Sequence, residues 1–457
     1  MNGAETGVER DSVAVIGAGL AGSEAAWQLA RRGIPVHLFE MRPRRLTPAH
    51  QSGDFAELVC SNSFKSTNPQ NAHGLLKAEL AAQGALVMES ARRSAVPAGQ
   101  ALAVDRGLFS AWITAQVENH ELIRVVREEG IDPVELMHRY GHVIVATGPL
   151  TSDAFSENLG RLLGRGHLSF YDAIAPTVTA ESIDLDIVFR ASRYGKGDAD
   201  YLNCPMDQEQ YHAFVQAVIE ADRVTLHTFE SLRPFEGCLP IEVMAERGVL
   251  TLAYGPMKPV GLIDPRTGRR PFAVIQLRQE DRDGRLFGMV GFQTKMTWPE
   301  QRRIFRTIPG LERAEFARLG SLHRNTFIDS PSLLDADLAW KGGQRLSFAG
   351  QITGVEGYME SAAMGLYVAK RVAYRLQRVE MPRPSAATMT GALVSYVVDS
   401  PSPRFQPMNS SFGLLAPAPA GTPRSQRKAV YVSRALAEIE RLERLEWGAQ
   451  PMSAAAP

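Results

Sequence analysis

Residues 13 to 40, VAVIGAGLAGSEAAWQLARRGIPVHLFE, decide the fold of this chain. A short apolar strand runs into Gly17, Gly19 and Gly22, whose G-x-G-x-x-G spacing opens a helix predicted from about Leu20 to Arg32. Glycine at these positions permits a tight turn, approach of the backbone to a pyrophosphate, and close packing of the helix on a sheet. N–H groups at the start of that helix would bind phosphate. The stretch therefore predicts a dinucleotide-binding βαβ unit.

The end of this unit indicates which dinucleotide binds. The second strand delivers Glu40 about twenty residues after the glycines, where a carboxylate would accept both ribose hydroxyls and repel a 2′-phosphate. We therefore expect FAD or NAD rather than NADP, with Ala18, Leu20 and Ala21 also contacting the cofactor. A glycine turn in an α/β unit that binds nothing is the alternative.

Composition limits the possible classes of protein. With 457 residues, 44% of them hydrophobic, the chain predicts two domains, or one domain with a large insertion. Lys plus Arg equals Asp plus Glu at 50 each, so RNA binding would need local basic patches. There is no apolar run of about eighteen residues and no secretion signal at the N-terminus, which predicts a cytoplasmic protein with no membrane association.

The cysteines Cys60, Cys204 and Cys238 are far apart and form no C-x-x-C pair. This spacing argues against a disulfide framework, a metal site and a local redox pair. Cys60 is followed by polar residues that could lower the pKa of its thiol, although a buried inert cysteine is the commoner case. Cys238 precedes Leu239–Pro240, which predicts a turn that presents the thiol.

Two further predicted strands favour FAD over NAD as the bound dinucleotide. GHVIVATGP, residues 141–149, is a buried strand that ends in small residues and Gly148, a pattern that recurs where a flavoprotein backbone runs beside its cofactor. RLSFAG, residues 345–350, is a strand that runs into Gly350. The helix predicted from Met359 to Leu376 would point its positive end at the flavin.

Between about residues 186 and 331 alternating strands and turns predict a mixed α+β insertion domain. The fold class is therefore α/β, with a Rossmann-like FAD-binding domain of the glutathione-reductase type over residues 12–185 and 332–447. Residues 1–11 and 448–457 are expected to be disordered.

Six stretches carry a family resemblance: GAGLAGSEAA, FEMRP, ELVCSNSFKS, YLNCPM, FEGCLPIE and FAGQITGVEGYMESAAMG. Together they closely resemble the folate- and FAD-dependent tRNA (uracil-5-)-methyltransferase family, TrmFO, over nearly the whole chain except its two ends. The resemblance implies methylation of the T-loop uridine of tRNA at C5. It also implies methylenetetrahydrofolate as carbon donor, reduced FAD as reductant, and NADH or NADPH to restore the reduced flavin.

The same resemblance implies roles for individual residues. Cys238 would be the nucleophile that adds to uracil C6, and Cys60 would be a second active thiol near the flavin. Tyr358 would stack on flavin or pterin, with an ordinary core contact as the alternative. Further flavin contacts are expected from Gly148, Gly350, Gln351 and Gly357.

The target uridine must be extruded from the stacked bases of tRNA, which costs free energy. Contacts between the protein and tRNA phosphates have to offset that cost. We expect a basic rim from the insertion and from the C-terminal segment, where four cations cluster: Arg424, Arg427, Lys428 and Arg434. Nearer the glycine turn, Arg42, Arg44 and Arg45 would either be solvated or contact phosphate. No obligate protein partner is evident. The alternatives are an MnmG-like wobble-uridine enzyme, a plain NAD(P)H–flavin oxidoreductase, and a non-catalytic RNA chaperone.

Overall fold

The computed structural model describes residues 9–47, 49–130, 132–164, 168–195, 198–224, 239–400 and 405–449. Side chains are described in these ranges except at 168–173, 322–324 and 447–449. Cys238 and the chain ends, 1–8 and 450–457, lie outside the described residues.

The strands of the described ranges are β1 (Glu9–Ile16), β2 (Val36–Phe39), β3 (Ser63–Ser66), β4 (Ala95–Val96), β5 (Ala101–Val104), β6 (Ile123–Val126), β7 (Tyr140–Val145), β8 (Leu168–Ala173), β9 (Thr177–Thr179), β10 (Phe189–Arg190), β11 (Tyr201–Met206), β12 (Ala273–Gln279), β13 (Leu286–Met289), β14 (Phe316–Arg318), β15 (Leu322–Phe327) and β16 (Leu346–Phe348).

The helices are α1 (Leu20–Ala30), α2 (Ala72–Ala82), α3 (Leu86–Arg93), α4 (Arg106–Glu118), α5 (Pro133–Arg139), α6 (Asp153–Leu163), α7 (Gln208–Glu220), α8 (Ile241–Glu246), α9 (Thr251–Tyr254), α10 (Trp298–Phe305), α11 (Ser330–Leu333), α12 (Tyr358–Gln377), α13 (Met389–Asp399) and α14 (Arg427–Ala449). None of these described helices has the length and apolar character needed to cross a membrane.

A parallel sheet in the order β16-β7-β1-β2-β6 organises the larger hydrophobic core. Val13, Ala14 and Val15 on its central strand are fully buried, as expected for a parallel sheet whose faces are covered. Helices α1 and α12 pack closely because Gly365 brings its backbone against Ala21, leaving no space for a Cβ. The glycine turn between β1 and α1 therefore lies at the carboxyl edge of the sheet, where α/β folds bind ligands.

Both ends of this region differ from the sequence prediction. Strand β1 begins at Glu9, so the expectation of disorder through residue 11 was wrong for residues 9–11. Glu9 pairs with Tyr140 on β7, and its carboxylate contacts the His37 ring at 2.6 Å. Helix α14 likewise continues through Gly448 to Ala449 instead of ending before that glycine. It is held by Glu446, whose buried carboxylate contacts Arg32 at 2.6 Å and Lys370 at 3.0 Å.

A second hydrophobic core surrounds a six-stranded sheet in the order β10-β11-β12-β13-β9-β14. Its paired strands are antiparallel, and α7 and α10 are among the helices that pack with it. Strands β8 and β15 form a two-stranded ribbon beside it, and β3, β5 and β4 form a small sheet after the Cys60 segment. The domain limits given above stay a prediction.

Candidate active site

The glycine turn has the geometry that a dinucleotide needs. Gly17 has φ +96°, and a Cβ there would lie 2.7 Å from the Ala146 carbonyl oxygen. A Cβ on Gly22 would lie 1.7 Å from the Gly17 oxygen, whereas a Cβ on Gly19 would meet nothing within 4 Å. Gly17 and Gly22 are thus required by the protein's own packing, while Gly19 leaves open space at the start of α1 for a phosphate.

Glu40 follows β2 as predicted, but it is not an isolated carboxylate. One of its oxygens accepts from the Ala18 N–H at 2.9 Å, and the Arg42 guanidinium binds both oxygens at 2.9 and 3.1 Å. Burial would raise the pKa of Glu40, but the hydrogen bonds and charge of Arg42 outweigh it and leave the pKa lowered. Arg42 is 2% exposed, which rules out the solvated alternative. A bound ribose would therefore meet a Glu40–Arg42 pair.

An elongated cavity runs along this turn and encloses about 1010 Å³, part of it open to solvent. We call it the dinucleotide cavity; of the residues predicted to bind cofactor, it is lined by Gly17, Gly19, Leu20, Ala21, Glu40, Gly148, Gln351 and Tyr358. The open space at Gly19 and the free N–H groups at the start of α1 fit the pyrophosphate of FAD, and Glu40 lies where the ribose would bind.

The remaining predicted cofactor residues lie behind or beside this cavity. Ala18 donates its N–H to Glu40, and Gly22 packs on Gly17. Gly350 has φ +83°, and a Cβ there would lie 2.7 Å from the Ala21 side chain. The Gly350 backbone therefore packs directly against the start of α1 and supports the glycine turn. Gly357 lies instead on a neighbouring cavity.

Cys60 lines this neighbouring cavity, which encloses about 980 Å³. We call it the Cys60 cavity; it shares Val59, Pro149, Leu150, Gln351 and Tyr358 with the dinucleotide cavity. A ligand beside Cys60 would therefore lie next to the cofactor. Cys204, by contrast, is fully buried in β11, and burial strongly raises the pKa of its thiol, so it is inert. The structure does not describe Cys238.

Tyr358 lies where the two cavities meet. Its hydroxyl accepts hydrogen bonds from the backbone N–H groups of Cys60 at 2.8 Å and Ser61 at 3.1 Å. Its ring meets the edge of Phe64, with 5.8 Å between the ring centroids. Burial raises the pKa of the phenol, so the hydroxyl stays protonated at neutral pH. Tyr358 thus holds the Cys60 backbone as well as bordering the cofactor site.

Two arginines hold the same segment from the other side, and sequence reasoning missed both. Arg318 donates to the carbonyl oxygens of Val59 at 3.0 Å and Cys60 at 2.8 Å. Arg106 donates to the Cys60 oxygen at 3.2 Å and pairs with Glu280 at 3.0 Å. Both cations border the Cys60 segment, and Arg318 also interacts electrostatically with the Cys60 side chain. They come from α4 and β14, so no local motif could have revealed them.

The first turn of α12 carries a buried carboxylate. Glu360 in its first turn accepts from the Ser410 N–H at 3.0 Å and hydroxyl at 2.7 Å, and it contacts His73 at 3.3 Å. Burial would raise the pKa of Glu360, but His73, Lys65 and Ser410 lower it to about 2. The negative charge of this buried carboxylate therefore already interacts with the partial positive charge at the start of α12.

Comparison with known proteins identifies the family. Residues 12–380 match the family model described as Glucose inhibited division protein A. The "Methylenetetrahydrofolate--tRNA-(uracil-5-)-methyltransferase TrmFO" of Geobacter sulfurreducens (strain ATCC 51573 / DSM 12127 / PCA) is 55% identical over 432 residues, 94% of this chain and 98% of that protein. The chain belongs to the TrmFO family. A TrmFO relative from Desulforudis audaxviator (strain MP104C) is 54% identical over 431 residues, 93% of this chain and 97% of its own.

Solved structures show the fold that the TrmFO family member adopts. Aquifex aeolicus GidA in its form II crystal superposes with a TM-score of 0.69 at 18% identity, covering 97% of this chain and 75% of GidA. The form I crystal gives a TM-score of 0.70 at 17% identity, covering 96% of this chain and 76% of GidA. At this identity the likeness concerns the fold alone. The predicted α/β fold class and the family resemblance are both confirmed.

Proposed function

We propose that this protein methylates the T-loop uridine of tRNA at C5, with methylenetetrahydrofolate as carbon donor and FAD as redox cofactor. The observation that carries the proposal is the position of Cys60, on a cavity that adjoins a dinucleotide cradle. Membership of the TrmFO family supports the same reaction, since relatives at 53–55% identity carry that name.

The chemistry explains why a thiol is needed. Uracil C5 is a weak carbon nucleophile until a thiolate adds to C6 and turns C5 into an enolate carbon. The C5 atom then bonds to the methylene carbon of the donor as one carbon–nitrogen bond of that carbon breaks. A base takes the C5 proton as the second carbon–nitrogen bond breaks, which leaves an exocyclic methylene on C5, and a hydride added to that methylene expels the thiolate from C6. Reduced FAD supplies that hydride when bound.

We assign the C6 nucleophile to Cys238 and the second thiol to Cys60. Support comes from the described residues that follow Cys238: Leu239 is buried, and the Ile241 N–H donates to the Gln293 oxygen at 2.8 Å. Gln293 lines the Cys60 cavity. The described chain therefore resumes beside the cavity in which the reaction would take place.

In this proposal the glycine turn and the residues around it have separate roles. Gly19 and the start of α1 would hold the pyrophosphate of FAD on the turn that Gly17 and Gly22 permit, and the Glu40–Arg42 pair would bind its ribose. Tyr358 would border the isoalloxazine and keep Cys60 in place. NADH or NADPH would restore the reduced cofactor, a basic rim would bind tRNA, and the reaction would take place in the cytoplasm without an obligate protein partner.

The test is incubation of the purified yellow protein with unmodified tRNA, methylenetetrahydrofolate and NAD(P)H, followed by nucleoside analysis. Ribothymidine should form only with the complete mixture, and Cys238→Ala and Cys60→Ala should abolish it. Cys204→Ala is the matched control, because that thiol lies in the core away from both cavities. Flavin reduction by NAD(P)H without ribothymidine would instead indicate a plain oxidoreductase. A modified wobble uridine would indicate an MnmG-like enzyme.

A further inference from the structure

Asn325 on β15 presents an unexplained polar group to the Cys60 cavity. The residue is 4% exposed and lines that cavity. Within the part of the chain that the structure describes, its side-chain amide has no hydrogen-bond partner. Buried amides are nearly always paired, so this one is arranged to bind something that enters the cavity.

Other amides on the same wall strengthen this interpretation. Gln293 and Asn409 also line the Cys60 cavity, and in the described ranges neither side-chain amide has a hydrogen-bond partner. Gln351 differs, because its amide donates to Glu356 at 2.6 Å. Among the described residues, the Cys60 cavity is therefore lined by three side-chain amides without a hydrogen-bond partner and by one that is already paired. Asn325 is the most deeply buried of the three.

A primary amide offers an acceptor oxygen and N–H donors side by side. Its complement is a lactam edge, in which a ring carbonyl accepts from the amide nitrogen while the adjacent ring N–H donates to the amide oxygen. Uracil presents this edge at O4 and N3–H, and the pterin ring of folate presents the same pair of atoms. We propose that Asn325 binds the lactam edge of a substrate heterocycle in the Cys60 cavity and so determines specificity.

This inference rests on the proposed function, and its test separates the two sources of the lactam. The variants are Asn325→Leu, which removes both hydrogen bonds but keeps the branched shape of the side chain, and Asn325→Asp, which keeps the shape and the acceptor but removes the donor. Exposed Asn119, at the C-terminal end of α4, receives the same two substitutions as a control. All are made in the FAD-loaded protein, with FAD content and thermal midpoint measured first.

Two affinities are then measured. The dissociation constant of tetrahydrofolate is followed by the flavin absorbance. A T-arm hairpin with uridine at the target is compared by fluorescence anisotropy with one carrying N3-methyluridine, which lacks the lactam N–H. We expect an effect of about tenfold, because the lactam groups of the ligand would be buried without their hydrogen-bond partners.

Each outcome bears on the inference. A weaker affinity for tetrahydrofolate in Asn325→Leu assigns the pterin, and loss of the preference for the uridine hairpin in Asn325→Leu assigns the uracil. Asn325→Asp still accepts from the lactam N–H, so it reports on the bond to the ring carbonyl alone. If both quantities stay within about twofold of the wild type, or if the variants lose FAD instead, the inference is overturned. A wild type that binds neither probe would reject the proposed function together with the inference, which distinguishes the two failures.

Discussion

The hydroxyl of Tyr358 accepts a hydrogen bond from the backbone N–H of Cys60 at 2.8 Å, although 298 positions separate the two residues in the chain. Tyr358 begins α12, whereas Cys60 precedes the small sheet of β3, β4 and β5. This contact joins the two parts of the predicted FAD-binding domain at the point where the dinucleotide cavity meets the Cys60 cavity. It makes the position of the thiol dependent on α12.

Tyr358→Phe is expected to slow methylation by about tenfold or more while the protein keeps its FAD. Removal of the hydroxyl leaves the N–H groups of Cys60 and Ser61 without their acceptor, at a cost of about 1–3 kcal/mol for a buried donor. The measurement is the rate of ribothymidine formation together with FAD content. Tyr396→Phe, which removes a hydroxyl bound to the Gln406 oxygen, serves as control. An unchanged rate in Tyr358→Phe would argue against this role.

Arg318→Ala is expected to raise the pH at which the Cys60 thiol becomes reactive, because a positive charge beside the thiolate is lost. Arg318 interacts electrostatically with Cys60 and donates to its carbonyl oxygen at 2.8 Å. Arg318→Lys keeps the charge and should restore part of the effect. The assay follows iodoacetamide modification of Cys60 against pH, with adducts assigned by peptide mass spectrometry. Exposed Arg303, paired with Glu300 on α10, provides the Arg303→Ala control. Identical profiles would show that Arg318 is structural only.

Gly19→Ala is expected to impair FAD binding, whereas Gly22→Ala is expected to lower the free energy of unfolding. A Cβ at position 19 meets no protein atom within 4 Å, so that variant should fold normally and lose FAD, because the methyl group occupies the phosphate space. A Cβ at position 22 would lie 1.7 Å from the Gly17 oxygen, so that variant should lose about 2 kcal/mol or more of folding stability. Flavin absorbance and urea unfolding separate the two effects. Retention of FAD by Gly19→Ala would contradict the proposed cradle.

Because its ammonium group is buried, Lys77 is expected to make the stability of the folded protein depend on pH. It is 4% exposed and donates to the Phe64 oxygen at 2.6 Å, and burial lowers its pKa to about 8 from an ordinary value near 10.5. Between these values the unfolded chain binds more protons than the folded one, so this group makes stability rise with pH. The unfolding free energy of the wild type minus that of Lys77→Met should therefore increase from about pH 8 to pH 10. Urea titrations at several pH values measure this, and a flat or falling difference would refute it.

The start of α14 should contribute to tRNA binding. Arg427 and Lys428 are exposed there, and reversing both charges should weaken tRNA binding at low salt. The slope of log affinity against log salt should fall by about two, one for each lost phosphate contact. Exposed Arg441 and Arg444, near the other end of α14, receive the same charge reversal as control. Equal effects of the two pairs would indicate a general charge effect instead of a basic rim.

Local sequence was sufficient for the βαβ unit and for the fold class. The helix predicted from about Leu20 to Arg32 is α1, Leu20–Ala30, and Glu40 follows β2. Turn geometry and hydrophobic periodicity depend on residues a few positions apart, so they can be read directly from the chain. The pairing of Glu40 with Arg42, only two positions away, was nevertheless missed, because burial of that arginine depends on the surrounding core.

The amino-acid sequence alone therefore determined the glycine turn, the α/β class, the family resemblance and the two cysteines proposed for chemistry, Cys60 and Cys238. Only the tertiary structure decided that Cys60 opens on a cavity beside the cradle, held by Tyr358 and Arg318. It also decided that Asn325 presents its amide to the same cavity. These side chains come from different elements, and their contacts depend on packing between distant segments, for which local periodicity carries no signal.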